Sequence, residues 1–269
     1  MNAQTRTEIS RLLEEHGLRP VHKLGQNFLA DANVTRKIVK IAGVGGGDRV
    51  IEVGAGTGTL TKALAATGAH VVAYEVDERL RPILESVTSG LDVDLRFTDI
   101  SEVDLANALD RDDWTMVANL PYNIGTNVVM DALRHAFQIK RFVVMVQREV
   151  AERLVASTGT TEYGIPSVVT QIHSDAELVF RVPAQVFFPA PKVESAVVAM
   201  DRKPAPDEAE RAIELARAGF GQRRKMLRRS LASLLQDPVA VLERSSVAPT
   251  SRAEELSPDD YLRLARVTP

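Results

Sequence analysis

Hydrophobic positions along the chain follow two patterns, short runs of β-branched residues and longer amphipathic stretches. The short runs are typical of buried strands in a parallel sheet. The strands that they predict are Arg49–Val53, His70–Val76, Asp94–Thr98, Trp114–Asn119 and Arg141–Gln147. Amphipathic helices lie between them, for example over Thr59–Ala66 and Glu78–Ser86. This alternation predicts an α/β fold with a doubly wound, mostly parallel sheet.

The pattern changes after Gly164, where short strand-like stretches are separated by proline-rich turns. These stretches are Val168–Ile172, Glu177–Val182 and Ser195–Asp201. We expect them to close the sheet with antiparallel strands at its edge. Residues 202–207 have the composition of a linker, and the helical pattern returns over Glu208–Gln236 and Pro258–Val267. The chain is therefore predicted to have an α/β domain over residues 1–203 and a small helical domain over residues 204–269.

The composition fits this organisation. The 269 residues are 45% hydrophobic and 26% charged, proportions typical of a globular domain with a real core. The chain contains no run of eighteen apolar residues, and the first ten residues lack the apolar stretch of a signal peptide. We therefore expect a cytoplasmic protein without a membrane span.

The absence of cysteine excludes several classes of site. Disulfides, thiolate zinc sites, iron–sulfur clusters and methyl transfer through a cysteine nucleophile all need a residue that the chain lacks. The five histidines are scattered, without an i,i+4 pair near a carboxylate. We therefore expect no metal site.

Charge is distributed unevenly. The net charge is −3, but residues 215–236 carry six basic side chains and no acidic one, so the remainder sums to −9. The basic residues are Arg217, Arg223, Arg224, Lys225, Arg228 and Arg229. On a helix, Leu227, Leu231 and Leu234 would share the face opposite these cations. The pattern predicts a docked helix that presents cations to nucleic-acid phosphates, with a merely solvated basic face as the alternative.

A glycine-rich segment, Glu52-Val-Gly-Ala-Gly-Thr-Gly58, follows the first predicted strand and precedes a helix. Gly54 and Gly56 would permit a tight turn and let a ligand approach the backbone near the helix N-terminus. The third glycine of the dinucleotide fingerprint would fall at Thr59. This difference favours a methionine-bearing nucleoside over a pyrophosphate, and a purely structural turn remains the alternative.

Two acidic residues stand at the ends of the next two strands. Glu75 comes twenty-one residues after Gly54, where a carboxylate can accept hydrogen bonds from both hydroxyls of a ribose. Asp99 is a candidate acceptor for an adenine amino group. Dinucleotide enzymes place an acid similarly, so this pair supports a nucleoside ligand without naming it, and solvated acids at strand ends remain the alternative.

The segment Asn119-Leu-Pro-Tyr-Asn123 is the most specific signal. An aryl amine is a poor nucleophile. Two hydrogen-bond acceptors that bind its N–H groups favour a pyramidal nitrogen. The Asn119 side-chain oxygen and the carbonyl of Leu120, kept rigid by Pro121, are the predicted acceptors. Tyr122 offers a flat face for an extruded base. The alternative is a rigid turn with a core tyrosine.

A second aromatic segment, Phe187-Phe-Pro-Ala-Pro-Lys192, is predicted to complete this site. Phe187 would cover the other face of the target base, because stacking of a base on an aromatic ring contributes about 1–3 kcal/mol. The alternative is a phenylalanine pair at the seam between the two predicted domains, with prolines fixing a turn, and it applies more to Phe188 than to Phe187.

Together these segments resemble the bacterial KsgA-type ribosomal RNA adenine dimethyltransferases, relatives of the Erm resistance methyltransferases. The segments that carry the resemblance are Gly25–Leu29, Glu52–Gly58, Asn119–Tyr122, Phe187–Ser195 and Phe220–Arg229. The resemblance implies a class I S-adenosylmethionine-dependent methyltransferase domain with a small helical domain. The implied reaction is N6,N6-dimethylation of two adjacent adenosines near the 3′ end of 16S rRNA.

The resemblance also implies roles for single residues. By position, the cofactor-binding residues are Asn27, Leu29, Gly54, Glu75, Asp99 and Asn119, and Asn27 and Leu29 follow from the resemblance alone. The clustered cations from Arg223 to Arg229 become candidate rRNA contacts. The expected partner is 16S rRNA within a small-subunit assembly intermediate, bound by a monomer.

Three other functions remain as alternatives. An Erm-type enzyme acting on 23S rRNA shares the glycine loop and the Asn-Leu-Pro-aromatic turn, whereas the Gln222–Lys225 and Arg252–Leu256 segments resemble the KsgA type. A non-catalytic rRNA-binding assembly factor could share the fold. An NAD-dependent dehydrogenase fits worst, since the dinucleotide spacing is absent.

Overall fold

The computed structural model describes residues 4–110 and 113–268. It contains two compact units. The first comprises the chain up to Ala151 together with Glu177–Arg202, and the second comprises Glu152–Ala176 and the chain from Lys203 onward. The boundary predicted from the sequence differs, because it left Glu152–Ala176 in the first domain.

The described residues form a seven-stranded sheet and a two-stranded ribbon. In chain order the strands are β1 (Phe28–Leu29), β2 (Arg49–Val53), β3 (His70–Glu75), β4 (Val93–Phe97), β5 (Trp114–Asn119), β6 (Ile139–Gln147), β7 (Ser174–Val182), β8 (Phe187–Phe188) and β9 (Ser195–Arg202). The order in the large sheet is β4-β3-β2-β5-β6-β9-β7. The five neighbouring strands β4, β3, β2, β5 and β6 run parallel to one another, and β9 runs antiparallel to β6. The doubly wound sheet with an antiparallel edge is as predicted.

The helices include the two that were predicted over Thr59–Ala66 and Glu78–Ser86. The helices up to residue 154 are α1 (Arg6–Glu15), α2 (Ala32–Ala42), α3 (Thr59–Ala65), α4 (Arg81–Thr88), α5 (Leu105–Ala108), α6 (Gly125–His135) and α7 (Arg148–Leu154). Helix α2 shows how local sequence sets its ends. The Asp31 carboxylate accepts hydrogen bonds from the backbone of Asn33 and Val34, and Gly43 ends the helix with φ of 68°.

The core lies against the central strands because both of their faces are covered. From Phe142 to Val146 every residue of β6 is at most 2% exposed, which is why this strand is an unbroken apolar run rather than an alternating one.

Arg202, at the end of β9, crosses the edge of this core. Its guanidinium donates to the carbonyls of Ala132, Leu133, Ala136 and Ile139, the first two within α6, and burial lowers its pKa to about 10.

The second unit is helical. Its helices are α8 (Ile165–His173), α9 (Ala209–Gly221), α10 (Leu227–Ser230), α11 (Pro238–Arg244) and α12 (Pro258–Arg266). The strand predicted over Val168–Ile172 was wrong, because these residues belong to α8. Pro166 is tolerated in the first turn of a helix, and burial on several sides gives this short helix the apolar, β-branched composition of a buried strand.

The helical pattern predicted over Glu208–Gln236 is divided between two helices in the structure. Helix α9 ends at Gly221, and the chain turns back before α10 begins. Leu227 then packs against Gly219, where an added Cβ would lie 3.1 Å from the leucine side chain. Leu227 and Leu231 are fully buried, so the leucines do dock this segment, although only Leu227 lies within regular helix.

Candidate active site

A pocket opens at the carboxyl ends of β2, β3, β4 and β5. Crossovers run in opposite directions on the two sides of the β2–β5 junction, and ligands of doubly wound sheets bind at such a switch point. The pocket is where the structure brings together most residues selected from the sequence. Those that line it are Asn27, Gly54, Gly56, Glu75, Asp99, Asn119, Leu120, Pro121 and Tyr122.

The glycine loop forms one wall of the pocket. Gly54 and Gly56 have φ of 81° and 58°, values that other residues rarely adopt. A Cβ on Gly56 would lie 2.9 Å from the ring of Phe28, and one on Gly54 would lie 3.4 Å from Pro121. The loop is therefore closely packed against both the Asn119–Tyr122 turn and β1.

Gln4 holds the far side of this loop, a role that the sequence analysis missed. Its Nε2 donates to the Thr57 carbonyl at 2.8 Å, and its Oε1 accepts from the hydroxyls of Thr57 and Thr59 at 2.6 and 2.9 Å. Gly58 offers α3 no side-chain cap. A residue from the N-terminal segment thus fastens the start of this helix, a relationship that no local motif reveals.

Glu75 is a sequestered carboxylate at the end of β3. It is 6% exposed and accepts from the backbone N–H of Gly56 at 2.7 Å and of Asp77 at 2.9 Å. Burial raises its pKa, although these two hydrogen bonds oppose the shift. The carboxylate is thus fixed at the junction between the glycine loop and the third strand.

Asp77 connects Glu75 to the segment that covers the pocket, and the sequence analysis did not select it. Its carboxylate accepts from Gln26 Nε2 at 2.9 Å and from two nitrogens of Arg79 at 2.7 Å each. The Arg79 hydrogen bond holds the pKa of Asp77 below its ordinary value. Gln26 in turn accepts from the backbone of Val21 at 2.7 Å. The segment that includes Asn27 is therefore held in place beside Glu75.

Asn119, at the end of β5, has a defined side-chain orientation. Its Nδ2 donates to the carbonyl of Asn27 at 3.1 Å, which leaves the Oδ1 atom as an acceptor. The Pro121 carbonyl accepts from the backbone of Ile124 and Gly125 and so begins α6. The turn between β5 and α6 is rigid at the place where the sequence predicted acceptors for an amine.

Tyr122 is fixed through its hydroxyl. The hydroxyl forms a hydrogen bond of 2.7 Å with Ser195 Oγ, at the start of β9. Ser195 is fully buried, and burial raises the pKa of Tyr122. Tyr122 also lines the pocket. This partner was not predicted, since Ser195 lies 73 residues away in sequence.

The structure contradicts the role predicted for Phe187. Its side chain is fully buried in the core cluster, and in the β1–β8 ribbon it pairs with Leu29. Strand alternation turns Phe187 towards the core, so its ring has no face to offer a base. Phe188 is partly exposed. Leu29 is also buried and lines a small cavity beneath the loop together with Gly54 and Asn119.

Two further carboxylates border the loop. Asp99 lines the pocket and accepts from the backbone and the hydroxyl of Ser101 at 2.9 and 2.8 Å. Glu52, at the start of the glycine motif, is 1% exposed and its Oε2 has no hydrogen-bond partner. Burial raises the pKa of Glu52 to about 8. Glu52 is thus a neutral carboxylic acid over most of the physiological pH range.

The predicted basic cluster lies on the second unit. Arg223, Arg224, Lys225, Arg228 and Arg229 are all exposed. Arg223 bonds to the Thr161 carbonyl at 3.3 Å, and Lys225 to Gln222 at 2.7 Å. Within residues 4–110 and 113–268, the guanidinium groups of Arg224, Arg228 and Arg229 have no ion-pair or hydrogen-bond partner.

The described residues contain neither a candidate metal site nor a helix that could span a membrane. Across 4–110 and 113–268, histidine and carboxylate side chains form no group of three that could hold a metal ion. The helices of the same residues are too short or too polar for any of them to cross a membrane.

Solved structures resemble this fold. A dimethyladenosine transferase from Plasmodium falciparum superposes with a TM-score of 0.75 over 88% of this chain and 95% of its own, at 23% identity. The 23S rRNA methyltransferase ErmE superposes with a TM-score of 0.69 over 90% of this chain and 99% of its own, at 25% identity. The predicted class I methyltransferase fold is confirmed by these neighbours.

Comparison with known sequences identifies the family more specifically than the fold does. A ribosomal RNA small subunit methyltransferase A from Phenylobacterium zucineum is 41% identical, over 98% of this chain and 94% of its own. The family model described as ribosomal RNA adenine dimethylase matches residues 19–268. The chain therefore belongs to the ribosomal RNA adenine dimethylase family.

Proposed function

We propose that this protein dimethylates N6 of two adjacent adenosines near the 3′ end of small-subunit rRNA, with S-adenosylmethionine as methyl donor. The observation that carries the proposal is the pocket itself. It places the Asn119–Tyr122 turn, which suits an aryl amine, beside the glycine loop and Glu75, which suit a nucleoside. Family membership and the 41% identity to a small-subunit enzyme support the same substrate.

The residues present fit the proposed cofactor. Gly54 and Gly56 keep the wall free of side chains where a ligand must approach the backbone. The Glu75 carboxylate would accept the ribose hydroxyls, and Asp99 the adenine amino group. Asn27 and Leu29 complete the proposed set. When bound, S-adenosylmethionine supplies an electrophilic methyl group: the amine nitrogen forms the new bond, the carbon–sulfur bond breaks, and one proton leaves the nitrogen for water.

The chain's own contribution to the reaction is positioning. Asn119 Oδ1 and the Leu120 carbonyl would accept hydrogen bonds from the two N–H groups of the target amine in the first transfer. In the second transfer one of them would accept from the N–H that remains, and in both the lone pair is aimed at the methyl group. Such alignment replaces a strong base, since holding reactants in line accounts for much of the acceleration of bimolecular reactions. Tyr122 would stack on the extruded adenine, and its bond to Ser195 keeps the ring in place.

The exposed cations of the second unit would hold rRNA phosphates. Arg224, Arg228 and Arg229 are candidates because their charges are uncompensated among the described residues. We further propose that the enzyme acts as a monomer on a small-subunit assembly intermediate in the cytoplasm.

The test is to incubate tritiated S-adenosylmethionine with purified small and large subunits that lack these methyl groups, and then to map the labelled bases. We expect label on two adjacent adenosines of the small-subunit RNA and none on the large subunit. The Asn119→Ala variant is the control for transfer. Label on large-subunit RNA alone would move the function to the Erm type. Binding to small subunits without any label would indicate a non-catalytic assembly factor.

A further inference from the structure

A second concavity adjoins the pocket on the first unit. It shares five residues with the pocket: Gly25, Gln26, Asn27, Tyr122 and Asn123. Its remaining lining is Pro20, His22, Lys23, Gln147, Pro189, Ala190, Pro191, Lys192 and Val193. We call it the Lys23–Lys192 groove. Because Tyr122 borders both spaces, the groove lies directly beside the proposed site of methyl transfer.

The groove is positively charged on an otherwise acidic body. Lys23 and Lys192 are exposed, and among the described residues neither ammonium group has a hydrogen-bond or ion-pair partner. None of the lining residues is acidic. The nearest acidic residue in sequence to Lys192, Glu194, is paired with Arg148 at 3.0 Å. Two uncompensated cations in one groove favour an anionic occupant.

Much of the remaining lining of the groove is apolar. Pro189, Ala190 and Pro191 line it, and Val193, one of the few large apolar residues exposed on the described chain, remains 46% exposed. A planar base can pack on such a surface while its phosphate reaches a lysine. Grooves that combine cations along a backbone with apolar surfaces for bases are typical of single-stranded nucleic-acid binding.

We propose that the Lys23–Lys192 groove binds the nucleotide next to the target adenosine, with its phosphate held by Lys23 and Lys192 and its base against Pro189–Pro191. This inference rests on the proposed function. An adenosine at Tyr122 stays covalently joined to its neighbours through phosphodiesters, so the neighbouring nucleotide must lie in an adjoining space. The groove is such a space, and its charge and apolar wall match a nucleotide. All of its lining residues belong to the first unit, whereas the arginine cluster belongs to the second.

The experiment compares wild type with the Lys23→Ala/Lys192→Ala double variant. Affinity for a labelled RNA fragment that carries the two adenosines and their unpaired neighbours is measured by fluorescence anisotropy at several salt concentrations. Each phosphate neutralised on a single strand contributes about 0.7 to the log–log salt slope, so we expect the slope to fall by about 0.7 when the one phosphate that both lysines hold loses its contacts. The KM for small subunits should rise, while the KM for S-adenosylmethionine stays unchanged.

Two matched variants separate a specific contact from a general effect of charge. Lys40→Ala/Lys62→Ala removes the same charge from exposed lysines on α2 and α3, and it should leave the slope at the wild-type value. Lys23→Arg/Lys192→Arg should restore the slope. Thermal unfolding of each variant checks that the fold is intact.

The outcomes distinguish this inference from the proposed function. The groove proposal is overturned if the Lys23→Ala/Lys192→Ala variant keeps the wild-type salt slope. It is also overturned if the Lys40→Ala/Lys62→Ala control loses as much slope as that variant. If wild type binds the RNA but methylates no small subunit, the proposed function fails, while the slopes still decide whether the groove binds RNA.

Discussion

The hydroxyl of Tyr122 and the Oγ of Ser195 lie 2.7 Å apart, and this bond joins the turn after β5 to the first residue of β9. Ser195 pairs with Gln147 in the β6–β9 ladder and is fully buried. The tyrosine ring is thus anchored at both ends, by Pro121 in the backbone and by a serine on a core strand. Its orientation is set by the sheet and not by the turn alone.

Removing this hydrogen bond should lower turnover without abolishing it. A hydrogen bond of this kind contributes about 0.5–1.5 kcal/mol, so Ser195→Ala and Tyr122→Phe should each reduce kcat by roughly two- to tenfold. The double variant should be no worse than either single one, because both remove the same bond. Tyr122→Ala should be far less active, since the base loses its stacking surface. If Tyr122→Phe is as inactive as Tyr122→Ala with the fold preserved, the hydroxyl takes part in proton transfer and the stacking account is wrong.

Asn119→Ala should nearly abolish methyl transfer. Loss of one precisely placed polar group at a reacting centre commonly costs on the order of a hundredfold or more in rate. The fold and the RNA affinity should remain, as measured by thermal unfolding and by anisotropy. Asn119→Asp keeps the Oδ1 acceptor and loses the donor to the Asn27 carbonyl, so it should retain more activity than the alanine variant. The reverse order would show that the donor matters and the acceptor does not.

Glu75→Ala should weaken binding of S-adenosylmethionine in calorimetry. Two hydrogen bonds to a charged acceptor are worth about 3–6 kcal/mol before water replaces them. The same role predicts a pH dependence. Because burial raises the pKa of Glu75 above 4.5, acidification should protonate it, and weaken binding, at a higher pH than for an ordinary carboxylate. Glu102→Ala, at an exposed acid near Asp99, is the control. Wild-type affinity in the Glu75 variant would exclude the ribose contact.

Glu52 should make the stability of the protein depend on pH. Its pKa rises from 4.5 to about 8 on burial, so between these values the folded chain holds a proton that the unfolded chain has released. The free energy of unfolding should therefore fall as pH rises from about 4.5 to about 8. Urea denaturation should show that Glu52→Gln, which cannot ionise, reduces this dependence. An identical pH dependence in both proteins would mean that Glu52 is ionised in the folded state.

Replacing Arg224, Arg228 and Arg229 by alanine should lower RNA affinity and reduce its salt dependence. Each lost phosphate contact should reduce the log–log slope by roughly 0.7–0.9. The matched control is a triple variant at Arg11, Arg36 and Arg263, exposed residues outside both the cluster and the pocket. A slope unchanged from wild type would identify the cluster as a solvated surface.

The pattern of apolar residues predicted the elements correctly where burial follows a regular pattern along the element. Strands β2 and β5 begin and end at the predicted residues, because β2 is followed directly by Gly54 and β5 ends at the polar Asn119, two residues before Pro121. It failed for α8, whose β-branched residues are buried in a helix and not in a sheet. It failed also for Phe187, since no local signal tells which of two adjacent phenylalanines faces the core.

The residues that line the pocket could be predicted from the sequence, but the residues that hold them in place could not. The glycines, the acid at a strand end and the Asn119–Tyr122 turn can be identified from their spacing and their position after predicted strands. Gln4, Asp77 and Ser195 act through hydrogen bonds to residues distant in sequence or outside any motif. Such partners depend on where the fold brings distant segments together, and one sequence does not contain that information.

Gly56 and Phe28 limit how this enzyme can be recombined with its relatives. The ring of Phe28 fills the place of a Cβ at position 56, and Phe28 pairs with Phe188 across the β1–β8 ribbon. Three segments spread over 160 residues therefore have complementary shapes. A chimera whose imported loop has any residue other than glycine at position 56 brings a Cβ to 2.9 Å from the Phe28 ring, whereas one that imports the three segments together keeps their packing intact.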